Sequence, residues 1–84
     1  MSIIPNNYHT YDLGLASVLS VLTFELIEMD RSNPKKIQFI FKPDRKKGDI
    51  EKIAGDYFNN TLELPVLGFF NAVKMLKNRI YSNY

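Results

Sequence analysis

The segment from Leu13 to Leu22, LGLASVLSVL, constrains the fold more than any other part of the chain. It is long enough for a helix, carries no charge, and is apolar on nearly every side. Leu13, Leu15, Ala16, Val18, Leu19, Val21 and Leu22 leave only Gly14, Ser17 and Ser20 as small or polar positions. A helix without a polar face must be covered on several sides, so it lies at the centre of its domain or is shared with another subunit. The chain has 84 residues, enough for one domain and one core. At this size roughly 60–65% of the unfolded surface can be buried, which leaves little material to wrap such a helix. The other elements are therefore expected to pack directly on it. The helix should run from about Tyr11 to Leu22, with Thr10 as N-cap and Asp12 as a dipole-favourable acid in the first turn.

Beyond Leu22 the period changes. Phe24, Leu26 and Glu28 alternate with Glu25, Ile27 and Met29, which reads as a strand. Asp30-Arg31-Ser32-Asn33-Pro34 is a run of turn formers. Lys36 to Lys42 then alternates cleanly, with Ile37, Phe39 and Phe41 on one face and Lys36, Gln38, Ile40 and Lys42 on the other. The two runs form a β-hairpin, and two strands alone are marginal, so the phenylalanine face must meet helices or more sheet. The Tyr8–Tyr11 segment could supply a short third strand. Pro43 ends the second strand, and Asp44–Gly48 is a charged loop.

Asp49 is a good N-cap for a second helix over about Ile50–Asn59, in which Ile50, Ile53, Ala54, Tyr57 and Phe58 make an apolar stripe. Asn59-Asn60-Thr61 closes it, and a linker leads to Pro65 in the first turn of a third helix. That helix is expected to reach about Tyr81, turning Val66, Phe69, Phe70, Val73, Leu76 and Ile80 inward. Asn71, Lys74, Lys77 and Asn78 would then face outward. The expected fold class is α+β, in the order α-β-β-α-α, with a β-hairpin packed against three helices. Residues 1–84 form a single domain in this reading, with flexible ends at 1–7 and 82–84.

The strings Tyr8-His9-Thr10-Tyr11-Asp12-Leu13-Gly14-Leu15-Ala16, Phe39-Ile40-Phe41, Asp56-Tyr57-Phe58-Asn59 and Met75-Leu76-Lys77 occur in that order, with Tyr81 close behind. With them the chain resembles, over about residues 8–81, a family of short bacterial and phage-associated proteins known only as a domain of unknown function. The resemblance implies a helix, a hairpin and two further helices. It brings no activity, cofactor or binding residue with it.

The chemistry of catalysis finds few materials here. With no cysteine, disulfides and thiolate metal sites are excluded. The one histidine, His9, sits beside a helix start with no nucleophile in sequence reach. Glu25 and Glu28 lie on opposite faces of a strand, and Glu51 and Asp56 do not converge on their helix, so no carboxylate pair forms. The Asp44–Asp49 loop mixes its two acids with three cations, which repels a metal ion. Gly48 is the loop's single glycine, so neither a phosphate loop nor a dinucleotide fingerprint is present. The expectation is a non-enzymatic protein with no catalytic, cofactor-binding or metal residues. The start MSIIPNNYHTYD lacks the basic and apolar regions of a signal peptide. The stretch Leu13–Ile27 is interrupted too often to span a membrane. A cytoplasmic location is expected.

What points outward is charge. Between Arg31 and Lys47 lie seven of the eleven Lys and Arg residues against one acid, Asp44, while the whole chain is only +2. Lys35, Lys36, Lys42, Arg45, Lys46 and Lys47 are thus candidate contacts to nucleic acid or to a nucleic-acid-bound complex. Phe39 and Phe41 are expected in the core, so they do not stack bases, and lysines on a strand also serve to discourage edge pairing. The competing reading is a protein-interaction adaptor or homodimer that uses its apolar helices. The small stripe Gly14, Ser17 and Ser20 is its candidate dimer surface, and the aromatic C-terminal region, with Phe69, Phe70, Tyr81 and Tyr84, is a further one.

Overall fold

The computed structural model describes residues 6–82, so the ends expected to be flexible fall largely outside the described residues. Six elements follow in the order β1 (Tyr8–Thr10), α1 (Leu13–Val21), β2 (Leu26–Asp30), β3 (Gln38–Phe41), α2 (Ile50–Phe58) and α3 (Val66–Ser82). The fold is a small α+β domain with a three-stranded antiparallel sheet and three helices. The difference from the expected order is that β1 precedes α1.

The apolar segment forms α1, and Leu15, Ala16, Ser17, Val18 and Leu19 are all buried. The four apolar ones join Phe24, Phe39, Phe41, Ile50, Ala54 and Leu76 in one core cluster. Every other helix and the central strand contribute to it, as a helix with no polar face requires. Its N-cap is Asp12 rather than Thr10. The Asp12 carboxylate accepts from the Gly14 N–H at 3.0 Å. The Thr10 hydroxyl instead accepts from the Asp12 N–H at 3.1 Å, holding the chain as it enters the cap. At the other end the Phe24 N–H reaches Leu19 O and the Thr23 N–H reaches Ser20 O, both at 3.0 Å. This paired closure needs a left-handed residue, and Thr23 takes that place at φ 67°. Asn60, at φ 61°, closes α2 in the same way, its N–H on Tyr57 O and that of Thr61 on Asp56 O.

The strand order is β1-β3-β2, which makes β3 central. Tyr8 and Leu26 flank Phe41, while Thr10 and Met29 flank Phe39. Opposed residues share a face, so these six side chains form the inner face of the sheet. Strict alternation along β2 would have set Leu26 and Met29 on opposite faces. A bulge between Leu26 and Glu28 inserts Ile27 and resets the phase, leaving Ile27 44% exposed.

Asp49 caps α2 as expected, its carboxylate accepting from the Glu51 N–H at 3.0 Å. Ile50 and Ala54 are buried, but Phe58, expected on the same stripe, is 64% exposed. Pro65 stands just before α3, its carbonyl accepting the first helical bond from Phe69 N–H. The face of α3 turned to the core carries Ala72 and Leu76, with Phe69 and Ile80 packed against it. Val66 and Phe70, expected inward, are 84% and 57% exposed. Ala72 and Leu76 take the buried side instead, and Gly68 with Ala72 borders an open groove beside Ser20 and Val21 of α1.

Candidate partner surfaces

The structure separates the basic run by placing β3 in its middle. Lys35 and Lys36 precede the strand and Lys42 to Lys47 follow it, so the two groups stand on the order of 20 Å apart along an extended chain. At the first end Lys36 lies over the Tyr11 ring, 5.7 Å from its centroid, and Lys35 is exposed in the turn, its N–H bound to Asn33 Oδ1 at 2.9 Å. These lysines share a shallow cleft with Asp12, Leu13 and Ile80.

Arg31, at the same end, is tied into the fold. Its guanidinium donates to the carbonyls of Ile80 and Arg79, each at 3.0 Å. A cation near a helix C-terminus also meets the negative end of the helix dipole. The hairpin turn is therefore clamped to the last turns of α3. Asp30, beside it, accepts from the Ser32 N–H at 2.9 Å, and that bonding holds its carboxyl below the ordinary range.

At the second end, Lys42, Arg45, Lys46 and Lys47 are all exposed. Lys47 donates through Nζ to the Thr23 carbonyl and lies 3.9 Å from Asp44. Lys42, Arg45 and Lys46 have no side-chain hydrogen bond or ion pair among the described residues. Acids are interleaved with them: Glu25 and Asp44 line a cleft with Lys42, Arg45 and Lys47, and Asp49 and Glu51 line another with Arg45. Tyr8 borders the second cleft; burial first, and the Glu51 charge next, push its hydroxyl above the ordinary 10.0. The local field is mixed.

The aromatic residues of β3 face away from solvent, Phe39 at 1% exposure and Phe41 at 0%. The opposite sheet face carries His9, Glu28, Asp30, Gln38 and the largely covered Ile40, with His9 Nδ1 3.3 Å from Gln38 Oε1. Its one ring is the His9 imidazole, and it carries no Phe, Tyr or Trp.

The small stripe of α1 lies inside the molecule. Ser17 is fully buried and its hydroxyl donates to Leu13 O at 2.8 Å. Gly14 is covered by Tyr57 of α2: a β-carbon there would stand 1.9 Å from the Tyr57 hydroxyl. Burial, and then the Asp12 carboxylate, push that hydroxyl above 10.0. Only Ser20 reaches the surface groove beside α3. Gly14 and Ser17 admit neighbours of the same chain, so they do not form an outward dimer surface.

Of the eight large hydrophobic side chains exposed among the described residues, five lie on α3. Val66, Leu67 and Phe70 are 84%, 69% and 57% exposed, and Met75 and Tyr81 are exposed further along. Beside the helix start runs a groove lined by Val18, Tyr57, Leu62, Leu64, Val66 and Phe69. Sequence periodicity placed two of these five exposed residues, Val66 and Phe70, in the core because they fit an apolar stripe. The counter-signal was Ala72, a small residue on the side that the structure buries with Leu76. Among the described residues no helix is long and apolar enough to cross a membrane.

A family model described as a domain of unknown function, DUF5659, matches residues 5–82. No curated protein and no solved structure gives a match.

Proposed function

The chain belongs to this domain family of unknown function, and we propose that it is a non-catalytic, cytoplasmic protein-interaction module whose contact surface is the outer face of α3. The observation that carries this reading is the exposure of Val66, Leu67 and Phe70 on one helix end, in a molecule that buries the phenylalanines of its sheet almost completely. Contiguous apolar surface on a small domain marks an interaction site more often than a solvated face. Aromatic anchors such as Phe70 supply most of the energy at such sites. The lack of cysteine suits a reducing compartment.

A second reading rests on Lys42, Arg45 and Lys46, which are exposed at one end of the sheet. Nucleic-acid contact there would be electrostatic only, through phosphates. The interleaved Glu25, Asp44, Asp49 and Glu51 weigh against it. Photo-crosslinking in cells separates the two. A photoreactive residue at position 70 should give protein adducts, and one at position 46 should give none. Nuclease-sensitive adducts from position 46, with none from position 70, would reverse the assignment.

A further inference from the structure

Along the exposed side of α3, Leu67, Phe70, Lys74, Lys77 and Tyr81 follow one another at spacings of three, four, three and four. All five are exposed to solvent. This is the spacing of a two-helix seam, and it lies opposite the face that packs on α1. Charge is distributed unevenly along it. Glu63, just ahead of the helix, is exposed and has no ion-pair partner among the described residues. The second half of the seam carries only cations, Lys74 and Lys77.

Resting on the assignment of α3 as the contact surface, we infer that its occupant is a second copy of this chain, laid antiparallel across α3 about a twofold axis near Phe70. Glu63 stands in the non-helical linker just ahead of α3 and Lys77 lies about two turns after Phe70, so this orientation turns the acidic entry of each helix toward the basic second half of the other. The parallel alternative sets Lys74 against Lys74, Lys77 against Lys77 and Glu63 against Glu63. Like charges so placed oppose association, which selects the antiparallel form. The helix dipoles also oppose favourably in it. At the centre Phe70 meets the Phe70 of the other copy, flanked by that copy's Leu67 and the apolar stem of its Lys74. Within one chain the Lys74 ammonium already lies 5.4 Å from the Phe70 ring centroid, so the stem is in place to cover an aromatic neighbour. A twofold interface of this kind is self-complementary and closes at two copies.

The cysteine-free chain permits a direct test of orientation. Glu63→Cys and Lys77→Cys chains are mixed at equal concentration and oxidised gently. The mixed disulfide is expected to exceed either self-linked product by about tenfold, because only that pair is held at high effective concentration. Equal yields of all three products, or a predominance of self-links, overturn the proposal. Sedimentation equilibrium of the unmodified chain supplies the second measurement. Dimers that become monomers on Phe70→Glu substitution support it; a monomer at about 1 mM overturns it. A monomer that still crosslinks to a different protein from position 70 in cells overturns the self-association and leaves the contact surface standing.

Discussion

Gly14 of α1 and Tyr57 of α2 form a close junction between two helices. Glycine costs about 0.8–1 kcal/mol relative to alanine in a helix interior, and Gly14, in the first turn of α1, has a visible reason to lack a side chain. The reason is steric: a β-carbon would meet the Tyr57 hydroxyl at 1.9 Å and its ring carbon Cζ at 2.9 Å. The hydroxyl is the far end of a rotatable side chain, so Gly14→Ala tilts Tyr57 outward and loosens α2 from α1. Helix propensity and this displacement then act in opposite directions, and the single substitution understates both. A double-mutant cycle separates them. Gly14→Ala is expected to be at least about 1 kcal/mol more favourable in a Tyr57→Leu background than in the original chain, by urea denaturation. Additive effects within about 0.3 kcal/mol would show that Tyr57 does not depend on the missing side chain. From sequence, Gly14 looked like part of a smooth stripe open to another molecule, because spacing reports that a residue is small and not what fills the gap beside it.

Arg31 shows how one side chain can connect elements that are remote in the chain. The guanidinium joins the turn after β2 to the carbonyls of Arg79 and Ile80, closing the domain between its middle and its last helix. A planar fork reaches two carbonyls at once, which an ammonium cannot do. Hydrogen bonds to charged groups contribute about 1.5–3 kcal/mol, and partial exposure places this pair at the lower end. Arg31→Met should therefore cost about 1–2 kcal/mol and release the last turns of α3, read as faster amide exchange at Ile80 to Ser82. Arg31→Lys should recover less than half of the loss. Lys42→Met and Lys46→Met, with no partner among the described residues, should each change stability by less than about 0.5 kcal/mol. If all four variants behave alike, the clamp is not an element of the fold. The seven cations between Arg31 and Lys47 read as one surface in sequence, and this distinction among them was not legible. The elements themselves were legible, since α1, the hairpin, Asp49 as cap and the Asn59–Thr61 closure all follow from local pattern and chemistry. The Ile27 bulge was not, because one inserted residue is decided by what β3 presents across the ladder. The rotation of α3 was hidden for a related reason: Val66 and Phe70 satisfy a helical stripe equally well, and only tertiary packing, which buries Ala72 and Leu76, selects the other side.

The whole molecule is thin, with principal extents of 40, 34 and 19 Å. Two layers of structure fill that shortest dimension, so the outer elements have one face in the core and the other near solvent, while α1 is covered on several sides. Tyrosines are well suited to such a boundary, their rings packed and their hydroxyls near water. Tyr8 packs at the sheet edge and Tyr57 between α1 and α2, and both hydroxyls are raised above 10.0, by burial first and then by Glu51 and Asp12 respectively. The sign of the consequence is fixed by linkage. With folded values above unfolded ones, the unfolded chain loses these protons first as pH rises, so it binds fewer protons than the folded chain in that interval. The stabilisation is complete below pH 10 and is lost as pH climbs through the folded values. The urea midpoint should thus fall progressively above about pH 10, and the paired substitutions Tyr8→Phe and Tyr57→Phe should flatten that fall relative to the original chain. Lysine titration contributes to both proteins alike, so the difference between their slopes isolates the two hydroxyls. An unchanged slope would mean that both rings release their protons as freely in the folded domain as in the unfolded chain. In that case the α1–α2 junction would be more open to water than the placement of Tyr57 over Gly14 requires.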